Sequence, residues 1–229
     1  MWRPLRRHPD DPRHRRGRRR LTTRRPDHKQ RSRAEFDRQA RTYDTAGFGQ
    51  HARRLQPVVL EALEGIAAAS VLDVGCGTGA LLEAVLVARP DVRALGIDLS
   101  SGMIAVAKDR LGDRAELSVA DAEDLPLADG TVDLVLCVDS FHHYPAPATA
   151  LSEMHRVTRA GGALILGDWY VGRVFRGVMN RLLPRVPSGD VRIYTPAELG
   201  ELAAAAGYDV DRCETAGTRA QLLVARRPA

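Results

Sequence analysis

The run Val71-Leu72-Asp73-Val74-Gly75-Cys76-Gly77-Thr78-Gly79 constrains the fold of this 229-residue chain more than any other segment. Residues 70–74 are an apolar stretch of the kind that a strand buried on both faces requires. Three glycines at alternate positions follow, and a backbone without Cβ atoms can turn sharply there and come close to a ligand. The apolar-rich run 80–88 then reads as a helix whose first amides face the same turn. Strand, glycine turn and helix in this order predict a doubly wound α/β sheet with a nucleotide-type ligand at its carboxyl edge.

The glycines alone leave that ligand open, because Gly75, Gly77 and Ala80 also satisfy a permissive dinucleotide fingerprint. The surrounding acids separate the alternatives. Asp73 lies inside the strand, where a turn that binds pyrophosphate gains nothing from another negative charge. A second strand, 92–97, ends in Asp98, whose carboxylate can accept from both hydroxyls of a ribose. A third, 115–119, runs into Asp121, placed for an adenine amino group, and a fourth, 132–138, ends in Asp139. Four carboxylates converge on one edge. An adenosyl sulfonium cofactor, which carries an ammonium and a sulfonium, suits such a cradle better than a diphosphate does.

The remaining pattern alternates helix and strand. Helices are predicted over residues 34–43, 53–67, 101–111 and 148–158, with Ala160-Gly161-Gly162 as a helix stop before a fifth strand, 163–166. Residues 169–193 read as a partly helical insertion that serves as lid and specificity element. Thr195 as cap, Pro196 in the first turn and Glu198 three residues on start a helix that Gly207 ends. Two closing strands, 208–214 and 219–225, form an antiparallel hairpin.

In order and spacing, several of these pieces together resemble the class I S-adenosylmethionine-dependent methyltransferases. The likeness is to their small-molecule branch of the ubiquinone/menaquinone-biosynthesis type. The matching pieces are Val71–Gly79, then Gly96-Ile97-Asp98-Leu99-Ser100, Asp121-Ala122-Glu123-Asp124-Leu125-Pro126 and Asp133-Leu134-Val135. Glu153-Met154-His155-Arg156-Val157 with Gly161–Leu166, and Phe36–Ala40 with Tyr43-Asp44 upstream, complete the set. The resemblance covers roughly residues 34–226. It implies a Rossmann-like seven-stranded sheet, mostly parallel with an antiparallel C-terminal hairpin strand, and S-adenosyl-L-methionine as cofactor. It implies cofactor contacts from Asp73, Gly75, Cys76, Gly77, Gly79, Asp98, Leu99, Met103, Asp121, Ala122, Asp139 and Tyr43. Cys76 equally suits a small filler in a tight turn, Met103 plain core, Ser100 a helix cap, and Tyr43 packing rather than closure over the cofactor.

The implied reaction is an in-line displacement of the methyl group by an acceptor nucleophile, in which the protein positions two reactants and excludes water. For a hydroxyl, phenol or acidic-carbon acceptor a general base helps. His142 and His143, directly after the fourth strand, are the candidates, because imidazole titrates near neutrality. The alternative is that one of them caps the next helix. Asp168-Trp169-Tyr170 should border the acceptor, and arginines in or beside the insertion either hold an anionic acceptor or form a solvated face. After the fourth strand there is neither an Asn/Asp-Pro-Pro-aromatic run nor a Pro-Cys pair, which favours a small organic acceptor over a nucleobase.

Charge is split along the chain. Residues 1–33 hold 14 Lys or Arg against 3 Asp or Glu, whereas the remainder is net negative. The arginine-rich segment has few apolar residues to bury and is predicted to be a disordered tail preceding a 34–229 catalytic domain. One reading of it is electrostatic capture of nucleic acid, which makes an RNA or protein methyltransferase the alternative function. The other is a dispensable extension, or upstream sequence behind a misplaced start codon. No aromatic residues interleave the arginines to stack on bases, which favours the second. The segment lacks the apolar stretch of an export signal. Cys76, Cys137 and Cys213 have neither metal nor disulfide spacing, so a reduced, cytoplasmic protein without a metal is expected. No stretch reaches the length of a membrane span. The remaining expectations are a small-molecule acceptor as partner, with nucleic acid disfavoured but left open by the basic tail, and a monomer or homodimer.

Overall fold

A computed structural model describes residues 28–46, 49–183, 189–217 and 219–229. Its strands are β1 (Ser70–Val74), β2 (Arg93–Asp98), β3 (Ala115–Val119), β4 (Val132–Val138), β5 (Thr158–Trp169), β6 (Asp209–Ala216) and β7 (Ala220–Arg226). Its helices are α1 (His28–Gln39), α2 (Gln50–Glu64), α3 (Ala80–Ala88), α4 (Ser101–Leu111), α5 (Pro147–Val157), α6 (Arg173–Leu182) and α7 (Pro196–Ala205). The strands form one sheet in the order β3-β2-β1-β4-β5-β7-β6. The first five are mutually parallel, and β7 runs antiparallel to both β5 and β6. The topology is therefore the doubly wound one that the glycine turn implied, closed by a hairpin.

Every residue of β1 is buried, as a central strand covered on both faces must be. Its alternate side chains divide the core. Leu72 and Val74 join Val135, Leu151, Met154, Leu164 and Phe141 on one face. Val71 joins Leu82, Val85, Leu134, Ile165, Val59 and Leu63 on the other. The sheet order reverses at β1, which pairs with β2 on one side and β4 on the other. A crevice opens above that reversal, at the carboxyl ends of the strands.

Local chemistry explains several boundaries. Ser100 caps α4 by accepting from Met103 N at 3.1 Å. Thr195 and Glu198 form the reciprocal capping box that starts α7. Three predicted boundaries need correction. The first helix begins at His28, so residues 28–33 are helical rather than part of a tail; residues 1–27 lie outside the described residues. The second helix, α2, spans Gln50–Glu64 rather than 53–67. The Gly161-Gly162 bend does not precede β5 but lies within it. Gly161 N donates to Arg227 O at 3.0 Å and Arg227 N to Gly162 O at 2.8 Å, which ties the bend to the sheet. Inside the insertion, α6 turns Phe175, Val178 and Leu182 to solvent. Among the described residues no helix is long and apolar enough to cross a membrane.

Candidate functional site

The crevice is organised by the acids at the strand ends. Asp98 closes β2, and its Oδ2 accepts from Gly77 N at 2.9 Å while Oδ1 accepts from Ser100 N at 2.8 Å. The same carboxylate thus fixes the glycine turn and the start of α4. Gly75 takes a left-handed φ of 79°, and a Cβ there would stand 2.6 Å from both Cβ and Oγ of Ser140. Only glycine fits. Asp73 is 2 % exposed, and its Oδ1 has no hydrogen-bond partner among the described residues. Burial, reinforced by the charge of Asp98, pushes the Asp73 carboxyl up to about 8. Burial also lifts Asp98 to about 6, against the hydrogen bonds that Ser100 and Gly77 donate to it. Two neighbouring acids held above their ordinary range mark a site short of positive charge.

Helix α1 roofs this crevice. Asp37 Oδ1 accepts from Ser100 Oγ at 2.6 Å and from Gly102 N at 2.8 Å, which pins α1 to the start of α4. Lys29 Nζ lies 2.6 Å from Asp121 Oδ2 and also contacts Glu123. Asp44, just beyond the helix, accepts from Thr78 Oγ1 at 2.9 Å and pairs with Arg110. Phe36 meets the His143 ring edge-on, with centroids 5.0 Å apart. Burial and the nearby carboxylates of Asp139 and Asp98 push the Tyr43 phenol up, so it stays neutral.

One end of the crevice is built on the segment after β4. Asp139 is the only non-glycine residue at positive φ, 53°, among the described residues. Its Oδ1 lies 2.7 Å from Nδ1 of His51, whose Nε2 lies 3.0 Å from Arg219 O. Both ring nitrogens of His51 face acceptors, an arrangement that needs both protons. Although burial opposes it, the bond and charge of Asp139 raise His51 accordingly. His142 and His143 form a single 3₁₀ turn with Phe141. His142 Nδ1 lies 2.7 Å from Asp168 Oδ1, and His142 N donates to Asp168 Oδ2 at 3.0 Å. Burial works against a charged His142, yet the Asp168 carboxylate raises it to about 9. Burial and the charge of His142 push His143 down.

Of the residues singled out from sequence, Tyr43, Asp73, Gly75, Cys76, Gly77, Asp98, Leu99, Met103, Asp121, Ala122, Asp139 and His143 all line the crevice. Gly79 and His142 do not. Gly79 is the left-handed cap of α3, and His142 is buried behind His143. The alternatives for Ser100 as cap and Met103 as buried residue also hold, since Met103 is 1 % exposed yet borders the crevice. Sequence reading missed Lys29, Asp37, His51 and Asp190. Asp37 stands in the Phe36–Ala40 piece but was given no role of its own, the other three stand in no motif, and each reaches the site from an element distant in sequence. Of those three only Lys29 had a visible signal, as the lysine in an arginine-rich segment.

A family described as methyltransferase domain matches residues 72–166. The malonyl-[acyl-carrier protein] O-methyltransferase of Geobacter sulfurreducens is 34% identical over 184 residues, 76% of this chain and 68% of that protein. The ubiquinone biosynthesis O-methyltransferase of Thiobacillus denitrificans is 31% identical over 157 residues, 64% of this chain and 67% of that one. Across the first curated relatives, the matches span from 36% to 77% of their lengths. Among solved structures, a Haloferax volcanii methyltransferase in complex with the Trm112 activator superposes with a TM-score of 0.73. It is 22% identical, and the match covers 86% of this chain and 98% of that one. Sheet order, glycine turn, acidic rim and these likenesses agree: the chain belongs to the class I S-adenosylmethionine-dependent methyltransferases.

Proposed function

We propose that the protein transfers a methyl group to a small organic acceptor, and that the crevice over Gly75–Gly79 holds the donor. The observation that carries this reading is the orphaned, buried Oδ1 of Asp73 beside the raised Asp98 carboxyl. A cationic, ribose-bearing group fits that deficit, whereas a diphosphate would worsen it. S-adenosylmethionine supplies an activated methyl on a sulfonium. Asp73 would balance its positive charge, Asp98 would accept from the ribose hydroxyls, and Asp121 with Ala122 would meet the adenine. Cys76, buried between the glycine turn and Gly96, packs the turn.

On the acceptor side, His143 faces the crevice and is the group able to take a proton from a hydroxyl, a phenol or an acidic carbon. His142 acts from behind, held by Asp168. Helix α1 above and the chain around 189–193 beside the histidines exclude water, which strengthens the electrostatic contacts inside. The two named O-methyltransferase relatives support an oxygen acceptor.

The reading is tested with labelled donor and cell extract, comparing the full chain with a variant lacking residues 1–27. Label entering a small metabolite, at the same rate with or without that segment, supports it. Label entering RNA or protein, lost on truncation and strongly reduced by salt, would replace it with the tail-dependent alternative.

A further inference from the structure

We propose that His142, His143 and Asp190 form a binding site for one divalent transition-metal ion of the zinc type at the acceptor end of the crevice. The site rests on side chains alone and does not depend on the methyl-transfer reading; only its role does. Asp190 Oδ1 lies 3.6 Å from His142 Nε2 and 3.1 Å from His143 Nδ1. The three donor atoms all fall within 4.8 Å of one another. A tetrahedral ion held at about 2.0–2.1 Å by nitrogen and oxygen sets neighbouring donors roughly 3.3–3.5 Å apart. The observed separations bracket that edge. Two imidazoles and one carboxylate are also the donor set that borderline cations select.

The surroundings orient these donors. Asp168, 1 % exposed, takes the Nδ1 side of His142 at 2.7 Å, so Nε2, which faces Asp190, is the nitrogen whose proton an incoming ion would displace. A carboxylate that fixes the tautomer of a ligating histidine in this way is a recurrent part of zinc centres. His143 bonds to the backbone of Gly189, while its buried Nδ1 has no hydrogen-bond partner among the described residues. It lies close to Asp190 Oδ1 without the alignment of a hydrogen bond. Asp190 itself is carried on a strap tied to the first ligand, since Val191 N and Arg192 N donate to His142 O at 2.8 and 3.3 Å. Sequence spacing hid the site because the carboxylate arrives from the far end of the insertion.

His143 also lines the crevice, so a fourth ligand can reach the ion from the acceptor side. An acceptor hydroxyl bound there loses its proton to water more readily, the ion acting as a Lewis acid. With the ion seated, both histidines are ligands, and acidifying the acceptor passes from base to metal.

The test uses the full chain without an affinity tag, stripped with chelator and titrated with Co²⁺ while the visible d–d bands are followed. The expected result is one strongly absorbing Co²⁺ per chain. Asp190→Asn and His143→Gln should each weaken it at least tenfold, and Asp168→Asn by about 10–100-fold as an outer-sphere partner. Donor affinity, measured separately on the metal-free proteins, should stay within twofold in Asp190→Asn, which also reports that this variant folds. Absence of the bands, or equal Co²⁺ affinity in wild type and both ligand variants, overturns the site; the second result would place the ion on histidines near the N-terminus. Failure of the metal-free protein to bind S-adenosylmethionine would instead overturn the methyl-transfer reading and leave a positive Co²⁺ result standing.

Discussion

Lys29 Nζ lies 2.6 Å from Asp121 Oδ2, so the first helix is latched to the acid that follows the third strand. With the Asp37 contacts to Ser100 and Gly102, this pair makes α1 a roof held at both ends. In the proposed function a bound donor passes beneath it. Lys29→Met keeps the stem and removes the latch. The donor should then dissociate several-fold faster, with folding stability changed by less than about 1 kcal/mol, as for other half-exposed pairs. Stopped-flow displacement reads the rate, and an unchanged rate would show that α1 does not gate the site.

Gly75 makes the sharpest stability prediction. At φ 79° an alanine incurs about 1–2 kcal/mol of backbone strain, and its Cβ would also collide with Ser140 at 2.6 Å. Gly75→Ala should lower the melting temperature by at least about 4 °C and abolish measurable donor binding. A variant with wild-type melting and affinity would contradict the close approach of backbone and ligand.

Asp98 braces Gly77 and meets Ser100 with one carboxylate, and in the proposed function the same group faces the ribose. Losing a charged hydrogen-bond acceptor costs about 1.5–3 kcal/mol, so Asp98→Ala should weaken donor binding on the order of 10–100-fold in a calorimetric titration. Undiminished affinity would place the ribose elsewhere.

The pH dependence follows from Asp73. Its folded-state carboxyl is raised from an ordinary 3.8 to about 8 by burial and by Asp98. The unfolded chain ionises it first, so its contribution to stability is full below the ordinary value and is lost as pH rises through about 8. A cationic donor reverses the preference, because it favours the ionised form. The rise in melting temperature that donor produces should therefore grow between pH 6 and about 8, and Asp73→Asn should flatten that growth. A donor-induced shift that is constant or falling over this range would rule out Asp73 as the counter-charge.

Much of the fold was legible, and the reasons are local. β1, α3, α4 and β4 carry their own signals, namely largely apolar runs, a serine cap and glycines with left-handed φ, and β3 shows the alternation Ala115-Glu116-Leu117-Ser118-Val119. Crevice-lining positions from Asp73 to Asp139 were legible because they sit at or beside strand ends, where alternation of helix and strand fixes their place. The start of α1 was not. His28-Lys29-Gln30-Arg31-Ser32-Arg33 has no apolar stripe, and its contacts at the site come from Lys29 and Asp37 reaching distant partners rather than from its own sequence. β5 was shortened for a related reason: Thr158-Arg159-Ala160-Gly161-Gly162 looks like a helix stop, and pairing with Val132 of β4 and with the chain near Arg227 draws it into the sheet. The acceptor end was half legible. The histidine pair was visible, but which of the two faces the crevice depends on Asp168 and Asp190, more than twenty residues away, and His51 reaches Asp139 across 88 positions.

Calorimetric titration of the full chain with S-adenosylmethionine, repeated in two buffers of different ionisation enthalpy, with NADH as the competing ligand, tests the acidic-cradle account most directly. The account predicts one S-adenosylmethionine bound per chain, proton release on binding as Asp73 ionises, and no heat from NADH. Binding of NADH without binding of S-adenosylmethionine would contradict it.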